Sequence, residues 1–87
     1  MMVIELAFEP SGERLAARPA HRERLAELHA QGRLLMAGPW EDDSGALLVF
    51  EAERPELDDI MAADPYYTMA GVTVLAVRDW RPVVGSG

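Results

Sequence analysis

The sequence predicts one small α+β domain with the order strand–helix–strand–strand–helix–strand, and three observations lead there. Four short apolar runs are set apart by turn-forming residues. Two further stretches carry apolar residues at helical spacing. The chain has 87 residues, which leaves room for a single core.

The first strand is Met2 to Phe8 (MVIELAF), closed by Pro10-Ser11-Gly12; its near-continuous apolarity suits a central place in a sheet. The first helix is read from Arg18 to Gln31, with Pro19 at its first helical position and Gly32 as its stop. His21, Leu25 and Leu28 share one face, while Arg22, Glu23, Arg24 and Glu27 turn to water. Arg33 to Ala37 and Ala46 to Glu51 are the second and third strands. A short polar turn, Glu41 to Gly45, makes them a hairpin. Pro55 to Ala63 is the second helix, with Glu56, Asp58 and Asp59 in its first turns and Leu57, Ile60 and Met61 as its packing face. Pro65 forces Asp64 out of the helical region and ends it. Gly71 to Trp80 is the last strand. Residues 1–82 thus form the domain, and 83–87 read as a flexible tail.

Composition narrows the function classes. The net charge of −7 comes from 15 acids against 8 bases, every base being Arg. That balance repels phosphate backbones and anionic lipid, so neither nucleic acid nor a membrane surface is an expected partner. No run approaches the roughly 20 apolar residues of a membrane helix, and the N-terminus shows no leader pattern, so a cytoplasmic protein is expected. There is no Cys, which removes disulfides and thiolate metal sites. His21 and His29 stand eight apart rather than four, so no metal is expected, and no dinucleotide or phosphate motif calls for a cofactor. A domain this short hides only about 60% of its unfolded surface, which leaves self-association as the available support.

The order βαββαβ is the split, ferredoxin-like arrangement: one antiparallel sheet with both helices on one face. Following the chain up and down brings Arg18, His21, Trp40, Asp43, Ser44, Asp64, Tyr66 and Tyr67 to one end. The other sheet face carries no helix. Soluble monomers avoid so large an apolar patch, and pairing two such faces gives a dimeric α+β barrel.

Arg18-Pro19-Ala20-His21, Leu28-His29, Gly32-Arg33-Leu34-Leu35, Ala37-Gly38-Pro39, Ala63-Asp64-Pro65-Tyr66 and Gly71-Val72 together resemble the YciI-like, YCII-related family. The resemblance runs from the first strand to about Trp80. It implies the dimeric α+β barrel and an active site built on a His and an Asp, which fall on His21 and Asp64. It also brings a relative that acts as a dehydrochlorinase on a chlorinated hydroxyquinol, and a fold shared with muconolactone isomerase. The hairpin turn is shorter here than in many members. Where many have Gly-Ser at the start of the third strand, this chain has Gly45-Ala46, with Ser44 one place earlier.

Each residue then has a functional and a structural reading. His21 is the candidate general base or acid, or else a buried imidazole bonded to backbone. Asp64 would orient that imidazole, or fix the turn before Pro65, or both. Arg18 suits a substrate carboxylate or phenolate, and equally a surface acid. Tyr66, with Tyr67 and Trp40, would line an aromatic pocket or a subunit interface. Ser44 would offer a hydroxyl to substrate. The expectation is a homodimer that takes a small cyclic or aromatic molecule and moves a proton on it in an elimination or isomerisation. The alternative is a non-catalytic small-molecule binder or accessory domain.

Overall fold

A computed structural model describes residues 1–85 of the chain. The last two residues of the expected 83–87 tail lie outside them; Val83 and Val84 are exposed. The strands are β1 (Met2–Phe8), β2 (Leu34–Pro39), β3 (Gly45–Phe50) and β4 (Val72–Asp79). The helices are α1 (Gly12–Ala30) and α2 (Arg54–Ala62), and a short 3₁₀ turn, Pro65–Thr68, follows α2. The sheet runs β2-β3-β1-β4 with every pair antiparallel, which is the ferredoxin-like order and puts β1 in the interior.

Alternation along the strands decides which side is the core. Met2, Ile4 and Leu6 of β1 pair with Phe50, Leu48 and Ala46 of β3, and all six are buried. Leu28 of α1, Leu57 and Ile60 of α2, and Tyr66 and Tyr67 of the 3₁₀ turn join the same cluster. Both helices therefore cover one face. On the opposite face stand Val3, Leu47 and Val49, with Met36 at 67% and Leu75 at 57% exposure.

Helix α1 begins six residues before the expected start. Ser11 is its N-cap, in extended geometry, and the Ser11 hydroxyl accepts from the backbone N–H of Arg14. Pro19 is thus an interior helical residue rather than the first one. It is tolerated because Pro19 and Leu15, whose carbonyl it cannot bond, both lie on the exposed side. One consequence is that His21 sits near the helix midpoint, out of reach of the N-terminal dipole. The helix closes as expected at Gly32, whose φ of 77° lets Arg33 N–H reach back to the Leu28 carbonyl at 3.0 Å.

Among the described residues no helix is long and apolar enough to cross a membrane.

Candidate functional site

The site is centred on an imidazole held from behind. His21 and Asp64 come from α1 and from the residue before the 3₁₀ turn, and both are buried, at 7% and 6% exposure. His21 Nδ1 lies 2.7 Å from Asp64 Oδ2. An ionised carboxylate only accepts, so Nδ1 carries the proton and donates it to Asp64. Nε2 is then the nitrogen left with a free lone pair.

Local sequence fixes the carboxylate. Pro65 holds Asp64 extended at φ −118° and ψ 111°, and Asp64 caps the 3₁₀ turn by accepting the Tyr66 N–H on Oδ1 at 3.0 Å. Both structural and orienting geometries of Asp64 are therefore realised by one side chain, one oxygen for each. The same turn places Tyr66 flat on His21, with ring centroids 3.9 Å apart and planes 6° apart. Tyr67 meets His21 edge-on at 5.5 Å. The imidazole is clamped in orientation as well as in tautomer.

His21 lines a cleft of about 590 Å³ between α1 and the edge strand β2. Leu6, Leu25, Leu48 and Phe8 form its apolar floor, and His29 stands at its far end, about 12 Å along the helix axis by the rise per residue. His29 hydrogen-bonds the Leu34 carbonyl through Nδ1 at 2.9 Å. Asp64 does not line this cleft but a smaller recess on the other side of α1. The imidazole is the partition between them.

Of the other expected residues, Arg18 and Tyr66 line the cleft, while Ser44 does not. Ser44 sits on the outer side of the hairpin, its N–H donating to Asp42 Oδ1 at 3.0 Å, and the Ser44 side chain first, then this N–H, hold the Asp42 carboxyl below its usual range. Trp40 also lies away from the cleft, its indole packed closely over Gly45, where a Cβ would press on the indole and collide with the Leu6 carbonyl. Tyr67 stays behind the imidazole. Its hydroxyl is buried with no hydrogen-bond partner among the described residues, and burial first, then Asp64, push its ionisation well above the tyrosine range.

Arg14 is the residue that sequence reasoning missed. Read as part of a loop, it had no position; as the third residue of α1 it points inward, 4% exposed, with its guanidinium 4.3 Å above the Phe8 ring. Its Nη2 reaches Asp43 Oδ2 at 3.3 Å, and Arg18 Nη1 approaches the same oxygen at 3.7 Å. The hydroxyl of Tyr66, then Asp43, hold Arg14 charged against the penalty of burial. The signal was present: Ser11 as cap, Glu13 in the first turn, and Arg14, His21 and Leu28 seven apart on one face. Among the described residues no group of three or more His, Cys, Asp or Glu could hold a metal ion.

Fold and site together define a class: a ferredoxin-like α+β domain with a carboxylate-backed histidine facing a cleft beside its edge strand. Residues 1–81 match the YCII-related domain, and the chain belongs to that family. It is 37% identical to Protein YciI of Escherichia coli O6:H1, covering 82% of this chain and 84% of that protein. It is also 37% identical to the uncharacterized protein YjpA of Bacillus subtilis (strain 168), over 70% and 72% of the two chains. Among solved structures it is similar in fold to the 5-chloro-2-hydroxyhydroquinone dehydrochlorinase TftG of Burkholderia phenoliruptrix AC1100, in complex with 2,5-dihydroxybenzoquinone. That likeness has a TM-score of 0.57 at 20% identity and covers 93% and 94% of the chains.

Proposed function

We propose that the protein is a small cofactor-independent enzyme, working as a homodimer, that uses His21 and Asp64 to move a proton on a small cyclic or aromatic substrate. The observation that carries this reading is the 2.7 Å bond from His21 Nδ1 to a buried Asp64, with the imidazole forming the cleft wall. Nε2 takes a proton from a substrate carbon, and Asp64 stabilises the imidazolium that results. In an elimination the electrons of the broken C–H bond form the new double bond, and the leaving group departs with its bonding pair. In an isomerisation the imidazolium returns the proton to a different carbon. The same pair supplies acceptor and donor in turn, so the chemistry asks for no further group. Membership of a family whose fold houses a dehydrochlorinase favours the elimination.

The dimer reading rests on the uncovered sheet face. Met36 and Leu75 stand exposed on it beside Val3 and Leu47, and a second copy of the face would cover them.

The test of the enzyme reading is His21→Gln, assayed against a set of halogenated hydroxyquinols and lactones by product formation. The variant should still unfold in one cooperative transition, at a somewhat lower midpoint because Asp64 loses its imidazole partner, and lose turnover by at least about 10³-fold. Equal turnover in the two proteins on a true substrate removes the imidazole from the chemistry. A ligand held by the wild type and recovered unchanged after long incubation supports a binding protein instead.

A further inference from the structure

We infer that Arg14, with Arg18 beside it, is an anion-binding site for the substrate, so that the cleft takes a ring compound bearing a carboxylate, phenolate or enolate, and that Asp43 occupies that site when substrate is absent. This rests on the cleft being the substrate site of the proposed function, and it adds the charge of the substrate.

The inference starts from an incomplete set of contacts. A guanidinium presents its N–H groups as forks, and Nη2 shares one fork with Nη1 and another with Nε. Asp43 takes a single prong, Nη2, with one oxygen at 3.3 Å. Nη1 and Nε of Arg14 are buried and make no hydrogen bond of good geometry among the described residues; the Tyr66 hydroxyl close by favours the charge without completing a fork. A buried cation is ordinarily matched across its whole fork, and the side chain with this shortfall is one of those lining the cleft. A carboxylate or vicinal pair of oxygens in place of the one Asp43 oxygen satisfies both prongs.

The geometry of Asp43 fits a displaceable occupant. It lies at the tip of the β2–β3 hairpin with φ 58°, the one residue other than Gly among those described to sit in the left-handed region. Aspartate tolerates such backbone in tight turns, so the hairpin carries it without strain. Its carboxylate is half-exposed and is approached by two arginines at once, at 3.3 and 3.7 Å.

The aromatic rings place that anion relative to the base. Arg14 lies over Phe8, Phe8 meets Tyr66 edge-on at 6.1 Å, and Tyr66 stacks on His21. An anionic ring held at the guanidinium lies along this row, with its carbon framework toward His21. Negative charge that develops when Nε2 removes a proton is then met by a fixed cation.

The test compares benzoate with benzamide, the same ring with and without charge, by NMR titration of the labelled protein. Wild type should bind benzoate in preference to benzamide. Asp43→Asn, on an exposed turn, should bind benzoate about three- to tenfold more tightly, since a competing charge is gone. Arg14→Gln should weaken benzoate at least about tenfold and leave benzamide unchanged. His21→Gln should keep benzoate affinity within about twofold, so loss of the proton-transfer reading leaves this result standing, and the reverse holds too. Equal binding of the two probes, or no binding of benzoate, overturns the inference. So does unchanged or weaker benzoate binding in Asp43→Asn with a lowered melting temperature, which makes the Arg14–Asp43 pair a hairpin pin and nothing more.

Discussion

Replacing Asp64 with Asn exchanges one oxygen of a buried pair for an amino group and tests the tautomer on which the chemistry depends. Asp64 accepts twice, from His21 Nδ1–H at 2.7 Å and from the Tyr66 N–H at 3.0 Å. An asparagine amide has one oxygen for these two donors. The backbone N–H of Tyr66 cannot change its role, whereas the imidazole can. Turning the amide oxygen away from Tyr66 leaves a buried donor unpaired at about 1–3 kcal/mol, so the rotamer that keeps the Tyr66 bond is favoured by about fivefold to over a hundredfold. In that rotamer the amide NH₂ faces His21, Nδ1 must accept, and the proton moves to Nε2. The lone pair facing the cleft is gone, and turnover should fall by about 10³–10⁴. Exchanging a charge-assisted bond for a neutral one costs about 1 kcal/mol, which lowers the melting temperature of a domain this size by about 4–8 °C. Long-range proton–nitrogen NMR of the labelled imidazole reads the tautomer without any substrate. A variant whose His21 still carries its proton on Nδ1, or a wild type already protonated on Nε2, would refute the reasoning.

Two further substitutions probe the surroundings. Tyr67→Phe removes the buried hydroxyl that has no partner among the described residues; stability at pH 7 should hold or rise by up to about 1 kcal/mol. Because the folded state keeps the Tyr67 proton to higher pH than the unfolded chain, wild-type stability is intact below about pH 10 and declines above it, by at most about 1.4 kcal/mol per pH unit. Urea titrations from neutral to alkaline pH should show a shallower decline in the variant, and identical slopes contradict the assignment. Met36→Glu combined with Leu75→Glu places charge on the uncovered sheet face. Sedimentation equilibrium should find a dimer for wild type and a monomer for the variant, and a wild-type monomer at all concentrations ends the dimer reading.

Three of the strands were legible within a residue because their alternating burial is written in residue type, whereas β2 runs to Pro39, two residues past its expected end at Ala37, since Gly38 and Pro39 pair with β3 on an edge strand that tolerates proline. Met2–Phe8 coincides with its expected span, and β3 and β4 shift only at their ends. The start of α1 was not legible, since Pro19 marks a first turn just as well as it occupies an exposed interior position. What decides between those is the side of the helix it faces, a tertiary fact. That one displacement hid Arg14. Asp64 was legible from Asp64-Pro65, because proline chemistry sets the backbone there. The stacking of Tyr66 was not, since the 3₁₀ turn is four residues long and leaves no periodic pattern. Ser44 and Trp40 were placed at the correct hairpin and on the wrong side of it, for register along a turn is set by hydrogen bonds and not by composition.

The 3₁₀ turn has a consequence for how such a domain diversifies. Asp64 and Tyr66, which orient and cover the imidazole, are two residues apart on a single capped turn, and His21 is the one part supplied from elsewhere. The facing wall, β2 with its hairpin, takes no part in holding that assembly. Mutations can therefore accumulate along the wall and alter which molecules are admitted while the proton-handling unit stays unchanged. Descendants of one ancestor could in this way come to differ in diet while sharing a tool.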